Sequence, residues 1–277
     1  MKKGQFVFFL GGDDVEMRRI AEVARETGCE VRDAGLSWGA KASAYGGQFN
    51  EVAESGRIPV LVELEINCDL PETAIVIDHH GHYSGKPPAL IQTLNLLGIK
   101  PSRKDVLIGA MDAGFVFGLQ AIGATEDEIA RFLGLDSADN MSIRDMLLAM
   151  ESEEPEIIAE AERAVAEREQ IGGMIVVRCT HSKTAPITTR LLGEQDEQNI
   201  LILSEDGEVN YYGRGETVRE MMEKFSGGWS GGAGLMPHTP KAKSFWEQWG
   251  GSAPETAFWG GYPDQREVLE FLSSIHQ

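Results

Sequence analysis

The chain has 277 residues, of which 42% are hydrophobic and 32 are glycine, and this composition fits a globular protein of two domains. Its formal net charge of −19 repels long polyanions and argues against a groove for duplex nucleic acid. No apolar run is long enough to span a bilayer and no signal-peptide pattern opens the chain, so we expect a cytoplasmic protein that binds no membrane. The cysteines are odd in number and widely spaced, which supports neither a disulfide framework nor a cysteine zinc site: Cys29, Cys68 and Cys179.

The first half of the chain alternates short apolar runs with stretches of helical spacing. The predicted strands are 5–10, 58–64, 73–77 and 106–111. The predicted helices of this half are 14–27 and 88–97. This order predicts an α/β fold with a mostly parallel, doubly wound sheet.

The second half begins with helices and continues as a second, smaller α/β set. Thr125 and Glu128 form a capping-box pattern, and a polar helix over 155–170 runs to the pair Gly172-Gly173. The predicted strands are 174–178, 200–204 and 208–212, and the further helices are 142–150, 186–192, 217–225 and 267–275. We expect domains over 1–150 and 173–240, a helical linker over 151–172, and an irregular, aromatic extension over 241–277 that covers a core edge or a subunit contact.

Polar side chains follow the apolar strand 75–77 directly. Asp78, His79 and His80 would be costly to bury there without a partner, and this edge of an open α/β sheet is where ligands bind. The alternative is one hydrogen-bonded core histidine beside an exposed one. We favour a metal site because other strands also end in acidic groups.

Those other acidic groups are Asp14, Glu16, Glu63, Glu65 and Asp112. The carboxyl ends of parallel strands lie at one sheet edge, so these groups should converge, although acids at a helix start are also ordinary dipole partners. Mixed carboxylate and imidazole ligands suit Mn²⁺, Fe²⁺ or Zn²⁺. Two ions about 3.5–4 Å apart could share one carboxylate and hold both oxygens of a phosphoryl transfer.

The order of these motifs resembles the DHH phosphoesterase superfamily. Asp78-His79-His80 resembles its third motif and Asp112 its fourth, while Asp14-Val15-Glu16 is similar to the first. Glu63, with Glu65 as the next candidate, stands for the second motif. The resemblance implies a phosphoesterase with two Mn²⁺ ions, or Mg²⁺, Fe²⁺ or Zn²⁺, that hydrolyses a small phosphorylated compound or short oligonucleotide through metal-activated water.

The resemblance extends over about residues 5–235, and the second half is similar to the DHHA1 domain of that superfamily. The glycine-rich run 227–234, with Gly231 and Gly232, resembles the run that closes this domain and could cradle a phosphate. By the same resemblance, the candidates to hold substrate phosphates are Lys183, Arg190 and Arg214.

The resemblance also implies a role for each site residue. Asp78 would support His79, and His80 would face the substrate as a donor or proton carrier. The implied metal ligands are Asp14, Glu16, Glu63, His79 and Asp112.

The chain departs from the superfamily pattern at several positions. Leu10, Gly11 and Gly12 stand where the first-motif histidine would lie, with Asp13 next to them. Glutamate replaces aspartate at positions 16 and 63, and Ser230 lies near the place of a histidine in the glycine-rich run. His82 or His238 could compensate for these losses. A second hypothesis is therefore a catalytically silent DHH-like protein, a sensor or assembly subunit that binds a nucleotide or a protein partner through its aromatic tail. Under either hypothesis the aromatic tail is compatible with a homodimer.

Overall fold

The computed structural model describes residues 3–37, 39–84, 86–139, 141–191, 199–235 and 245–276. Within these ranges the chain forms two compact units. The first contains the described residues up to Ala113, together with Phe245. The second contains the described residues from Gly114 to Leu235 and from Trp246 onward. This division groups residues by their contacts. The domain boundaries expected from the sequence stay a prediction.

The first unit is built on a parallel sheet with strand order β2-β1-β3-β4. The strands are β1 (Phe6–Leu10), β2 (Glu30–Arg32), β3 (Ile58–Val62) and β4 (Ile75–Ile77). The helices around it are α1 (Val15–Glu26), α2 (Gln48–Glu54), α3 (Ala89–Leu97) and the long α4 (Arg103–Ala121).

Helices cover both faces of this sheet because its strands are apolar on both sides. On one face, Val7 and Phe9 of β1 pack with Phe49 and Val52 of α2. The alternate residues of β1 face the other way, where α1 contacts β1 and α3 contacts α1 and β4. This arrangement confirms the predicted α/β class with a mostly parallel, doubly wound sheet.

The predicted strand over 106–111 is wrong, because these residues lie in α4. The Ser102 backbone N–H and hydroxyl donate to Asp105 Oδ2, and the Asp105 N–H donates to the Ser102 hydroxyl, so a reciprocal cap starts the helix. The periodicity of a short buried apolar run does not distinguish a helix from a strand. The Ser102–Asp105 capping pattern is the sequence signal that indicates a helix here. Phe115, with a φ of 51°, kinks α4 just after Asp112.

The second unit begins with α4 beyond the kink and three helices: α5 (Glu126–Phe132), α6 (Ile143–Ala149) and α7 (Pro155–Ala166). Thr125 and Glu128 make the capping box that the sequence predicted. Among the described residues, no helix combines the length and apolar character needed to cross a membrane.

A six-stranded sheet of order β5-β6-β7-β8-β10-β9 organises the rest of this unit. Its strands are β5 (Glu169–Ile171), β6 (Met174–Cys179), β7 (Asn199–Ser204), β8 (Val209–Arg214), β9 (Trp229–Gly231) and β10 (Thr256–Gly261). Only β6 and β7 pair in parallel within this part of the structure. Its further helices are α8 (Ala185–Leu191), α9 (Gly215–Lys224) and α10 (Gln265–Ile275).

Helices sandwich this second sheet as well. Ala161 and Ala164 of α7 pack with Ile187 of α8 against one face. Val218 of α9 and Leu272 of α10 pack against the other. The result is a helix–sheet–helix layering built by alternate strand residues that point to opposite faces.

Two sequence expectations about this unit need correction. Residues 169–171 do not end the polar helix but form an edge strand, and Gly172, with a φ of 57°, lies in the hairpin turn that leads to β6. The aromatic region is not irregular throughout, since Thr256–Gly261 is a strand between β8 and β9. Trp259 is 1% exposed and belongs to the core.

Trp259→Ala should lower the free energy of unfolding by about 3–5 kcal/mol because it leaves a large cavity in the second core. Tyr262→Ala is the matched control, since Tyr262 is 66% exposed, donates a hydrogen bond to Glu208 and makes an edge contact with the Trp229 ring. Its cost should be below about 1 kcal/mol. Guanidinium unfolding of both variants measures the difference, and equal costs would contradict the core assignment of Trp259.

Candidate metal centre

The site residues of the first unit follow the ends of β3 and β4 or lie on the helices α1 and α4. The chain leaves β1 through Gly11 and Gly12, and Asp14 then caps α1 by accepting a 2.7 Å hydrogen bond from the Met17 N–H. Glu16 lies in the first turn of α1. Glu63 follows β3, the residues 78–80 follow β4, and Asp112 comes from α4. Sequence reasoning expected Asp112 at a strand end, but a helix delivers it.

A close backbone approach shapes the edge between β1 and β3. A Cβ atom on Gly11 would lie 2.0 Å from the Glu63 carbonyl oxygen, so no other residue fits this backbone. Glu63 itself has a left-handed φ of 51°, a conformation that costs a non-glycine residue about 1–3 kcal/mol. Its N–H donates to the Ile77 carbonyl at 2.9 Å and ties the two strand ends together.

Four ligand atoms converge on one point in this unit. The Nε2 atom of His79 lies 2.8 Å from Asp112 Oδ2, 3.0 Å from Glu63 Oε1 and 3.7 Å from Glu16 Oε2. All four atoms lie within 4.8 Å of one another. Ligands at about 2.1 Å from a single divalent ion lie roughly 3–4 Å apart, so these spacings fit one ion held by four side chains.

The buried atoms of this group lack ordinary partners. Glu16 Oε2, Glu63 Oε1 and His79 Nε2 are inaccessible to solvent, and among the described residues none of them has a well-aligned hydrogen bond. The short distances from His79 Nε2 to the carboxylate oxygens are therefore close contacts without aligned hydrogen bonds. Buried polar atoms need a partner, and a divalent cation would satisfy all three.

The charges of the group also favour a cation. Burial raises the pKa of Glu16 well above its ordinary value, and the neighbouring Asp112 and Glu63 carboxylates raise it further. Burial opposes the charge on His79, but Asp112 and Glu63 outweigh it, so the pKa of the imidazole is raised well above its ordinary value. In the metal-free protein, Glu16 and His79 therefore hold protons, and these protons reduce the repulsion among the neighbouring carboxylates.

Asp112 and His80 lie on the solvent-accessible side of this group of residues. The side chains of Glu16 and His79 are 1% and 4% exposed, whereas those of Asp112 and His80 are 22% and 28% exposed. A ligand atom of His80 also groups with atoms of Glu63 and His79. His80 is therefore the imidazole that solvent or a substrate can reach.

Asp78 bonds to His80 rather than supporting His79. Its Oδ1 atom accepts a 2.8 Å hydrogen bond from the His80 N–H and lies 3.2 Å from His80 Nδ1. A carboxylate only accepts, so this contact holds the proton on Nδ1 and leaves Nε2 for another partner.

Asp14 lies near the four-residue group but outside it. Its Oδ1 atom is engaged as the helix cap, while burial and the charges of Asp112 and Glu63 raise its pKa. The other acids that the sequence left open lie elsewhere. Asp13 is exposed and pairs with Arg18 at 3.6 Å, and Glu65 is exposed with its backbone bonded to the segment 40–42. His82 is exposed, and His238 lies outside the described residues.

The cationic residues predicted to hold phosphate belong to the second unit. Arg190 makes a bidentate ion pair with Glu151 at 2.6 and 2.9 Å, which neutralises its charge. Arg214 is half exposed and lies 3.1 Å from Glu255, and Lys183 is exposed. Their role in binding phosphate stays a prediction.

Close packing accounts for the glycine-rich run without a ligand. Gly231 belongs to β9, and a Cβ on Gly232 would lie 2.8 Å from the Cα of Ala257. A Cβ on Gly228 would lie 2.5 Å from the Trp259 ring, and one on Gly234 would lie 2.1 Å from the Glu255 carbonyl oxygen. These glycines let the run lie directly against β10. The phosphate-binding role of Gly231 and Gly232 stays a prediction.

Comparisons with known proteins give distant structural likenesses. No protein-family model and no curated protein sequence matches the chain. An exopolyphosphatase-related protein from Bacteroides fragilis is 8% identical with a TM-score of 0.46, covering 98% of this chain and 91% of that one. A pGpG-specific phosphodiesterase from Vibrio cholerae is 11% identical with a TM-score of 0.36, covering 98% of both chains. An uncharacterized protein from Helicobacter pylori is 11% identical with a TM-score of 0.28, also covering 98% of both. These scores assign no activity to the chain.

His79→Ala and Asp112→Ala should each abolish Mn²⁺ binding with little loss of folded structure. Each change removes a central donor from the four-residue group, whereas the sheet and helices that carry it stay packed. The matched control is His82→Ala, which removes an exposed histidine outside the group. Isothermal titration with MnCl₂ and circular dichroism measure both properties, and full metal occupancy in both variants would refute the ligand set.

Metal binding should strengthen as the pH rises. Because the pKa values of Glu16 and His79 are raised above their ordinary values of 4.5 and 6.5, both groups keep their protons up to a higher pH than usual. A metal ion must displace those protons in order to bind. The rise in melting temperature caused by MnCl₂ should therefore be larger at about pH 7.5 than at about pH 5.5. Glu16→Gln removes one titrating group and should flatten this dependence. An equal or larger rise at the lower pH would contradict the argument.

Proposed function

We propose that this protein is a divalent-metal-dependent phosphoesterase. The observation that carries the proposal is the convergence of Glu16, Glu63, His79 and Asp112, three of whose buried atoms have no hydrogen-bond partner among the residues that the structure describes. Three carboxylates and one imidazole form a donor set that suits Mn²⁺, with Mg²⁺, Fe²⁺ and Zn²⁺ as alternatives. The resemblance to the DHH superfamily supports the same reaction class.

The ion would act as a Lewis acid and lower the pKa of water at the site. The residues of the chain have complementary tasks. Glu16 anchors the group from the buried side, and Asp112 closes it on the solvent side. With one ion bound, Asp78 orients His80, whose accessible ring would carry a proton to or from the substrate. With a second ion bound, that ring would instead be one of its ligands.

A second ion is part of the proposal. Glu63 and His79 belong both to the four-residue group and to a second group with His80. A carboxylate common to two groups is suited to bridge two ions in phosphoryl transfer. Metal content measured per chain tests this stoichiometry, since a value near one rather than two would remove the second ion from the proposal.

The proposed substrate is a small phosphorylated compound or a short oligonucleotide. A net charge of −19 disfavours long polyanions, whereas a metal ion reverses the sign of the field at close range. Lys183 and Arg214 are the exposed cations that the DHHA1 resemblance suggests for the phosphates.

The alternative is a catalytically silent protein that binds a nucleotide or a protein partner. Two observations favour it. The backbone at Gly11, one of the three residues that stand where the DHH pattern has a histidine, has no room for a side chain, and Arg190 is paired with Glu151. In this alternative the protein hydrolyses no phosphoester, with or without a bound metal ion.

Hydrolysis of bis-(p-nitrophenyl) phosphate separates the two functions. The phosphoesterase should release p-nitrophenol in the presence of Mn²⁺ and stop when a chelator is added. His79→Ala should lower kcat/KM by at least about 100-fold, because changes to outer metal partners alone cost 10–100-fold. His82→Ala is the control and should retain full activity. Metal binding without hydrolysis would support the silent alternative, and a protein that binds no divalent metal would refute both the centre and the enzyme.

A further inference from the structure

The first turn of α3 contacts three of the segments that carry the site. This turn, Pro88 to Gln92, holds none of the predicted ligands. Its contacts nevertheless reach α1, the segment after β4, and α4. Each contact is made by a different part of the turn.

The first contact fixes Glu16. The N–H of Leu90, one of the free donors at the start of α3, donates to Glu16 Oε1 at 3.1 Å. Leu90 is fully buried, so water does not compete for this bond. With Oε1 engaged, the second oxygen of the carboxylate, Oε2, is left to face His79.

The second contact fixes the segment that carries His79. The Gln92 amide nitrogen donates to the Asp78 carbonyl at 2.9 Å and to the Pro87 carbonyl at 2.7 Å. The Asp78 carbonyl belongs to the peptide bond that leads into His79, so its orientation sets the direction of the imidazole. Both amide hydrogens of Gln92 are used, and its side chain has a single orientation that satisfies both.

The third contact fixes the helix that carries Asp112. A Cβ on Gly109 would lie 2.9 Å from Pro88 Cβ, so the two helices approach as closely as a glycine allows. Gly109 precedes Asp112 by three residues, less than one helical turn. A shift of α4 at this contact would therefore move the Asp112 carboxylate relative to His79.

We infer that the first turn of α3 is the positioning element of the metal centre, with Gln92 as a positioning residue that sets the distance between His79 and the three carboxylates. The inference rests on the proposed function, since it concerns the same four side chains. Metal sites tolerate errors of only about 0.2 Å in ligand distance, so loss of this support weakens metal binding before it weakens the fold.

The test uses Gln92→Met, which keeps the volume of the side chain and removes both donated hydrogen bonds. Thr93→Val is the matched control on the same helix. Its hydroxyl is buried without a partner in the described structure, so the change removes no bond. Mn²⁺ affinity is measured by titration, and the visible absorption of bound Co²⁺ reports the ligand geometry.

Gln92→Met should weaken Mn²⁺ binding by about 10–100-fold and alter the Co²⁺ spectrum, as loss of an outer partner does in other metal sites. Thr93→Val should match the wild type in both. Gly109→Ala is a second route, because its Cβ meets Pro88 Cβ; it should also weaken binding, although alanine ordinarily favours a helix over glycine.

The outcomes separate the inference from the proposed function. A wild-type protein that binds neither ion refutes the metal centre itself. A wild type that binds both ions, with Gln92→Met and Gly109→Ala unchanged in affinity within two-fold and in spectrum, overturns the positioning role alone. A lower melting temperature of the metal-free variants with an unchanged Co²⁺ spectrum also overturns it, because that result describes a purely structural contact.

Discussion

Repulsion among three carboxylates packed around one buried imidazole is the constraint on which the first unit depends. Two like charges about 4 Å apart repel by about 4 kcal/mol at an effective dielectric constant near 20. Burial, together with the Asp112 and Glu63 carboxylates, raises the pKa of Glu16. The same two carboxylates raise the pKa of His79 against the opposing effect of burial, so protons on both groups relieve the repulsion in the metal-free protein. A divalent cation relieves it more completely and also satisfies the buried atoms that hydrogen bonds leave unpaired.

The backbone around the group is built to hold such a cluster. Gly11 allows β1 to approach the carbonyl of Glu63, whose left-handed conformation is retained by its bond to β4. Gly109 allows α4 to approach Pro88 in the same way. Gly11 lies where β1 meets the residue Glu63, and Gly109 lies where the helix that carries Asp112 meets the first turn of α3. Strain and close packing of this kind concentrate at functional sites in proteins.

The second unit gives a contrasting lesson about motifs. Its glycine-rich run resembles a phosphate-binding loop, yet Gly228, Gly232 and Gly234 are required by contact with β10 and the segment before it. Arg190 resembles a phosphate ligand, yet its guanidinium donates to Glu151, Glu162 and the Pro186 carbonyl. A motif in the sequence names residue types, whereas their function depends on whether the fold leaves those groups available.

Much of the fold follows from the sequence alone. Apolar runs of the right length marked β1, β3 and β4, and a helix-capping pattern marked α5, because these signals are local. Local signals failed where they were ambiguous: the buried run 106–111 is helical, and residues 169–171 pair with β6 through a hairpin rather than extending α7.

For the site, the sequence by itself determined the residue types and their association with the ends of β1, β3 and β4. Only the tertiary structure decided which of them meet. It brought Glu63 rather than Glu65 to His79, engaged Asp14 as a helix cap, and joined Asp78 to His80. The supporting role of Gln92 had no signal in the sequence, since its two bonds depend on where α3 packs. The physical reason is that composition and spacing fix what a side chain can bind, whereas distances of a few ångströms between distant segments arise from packing.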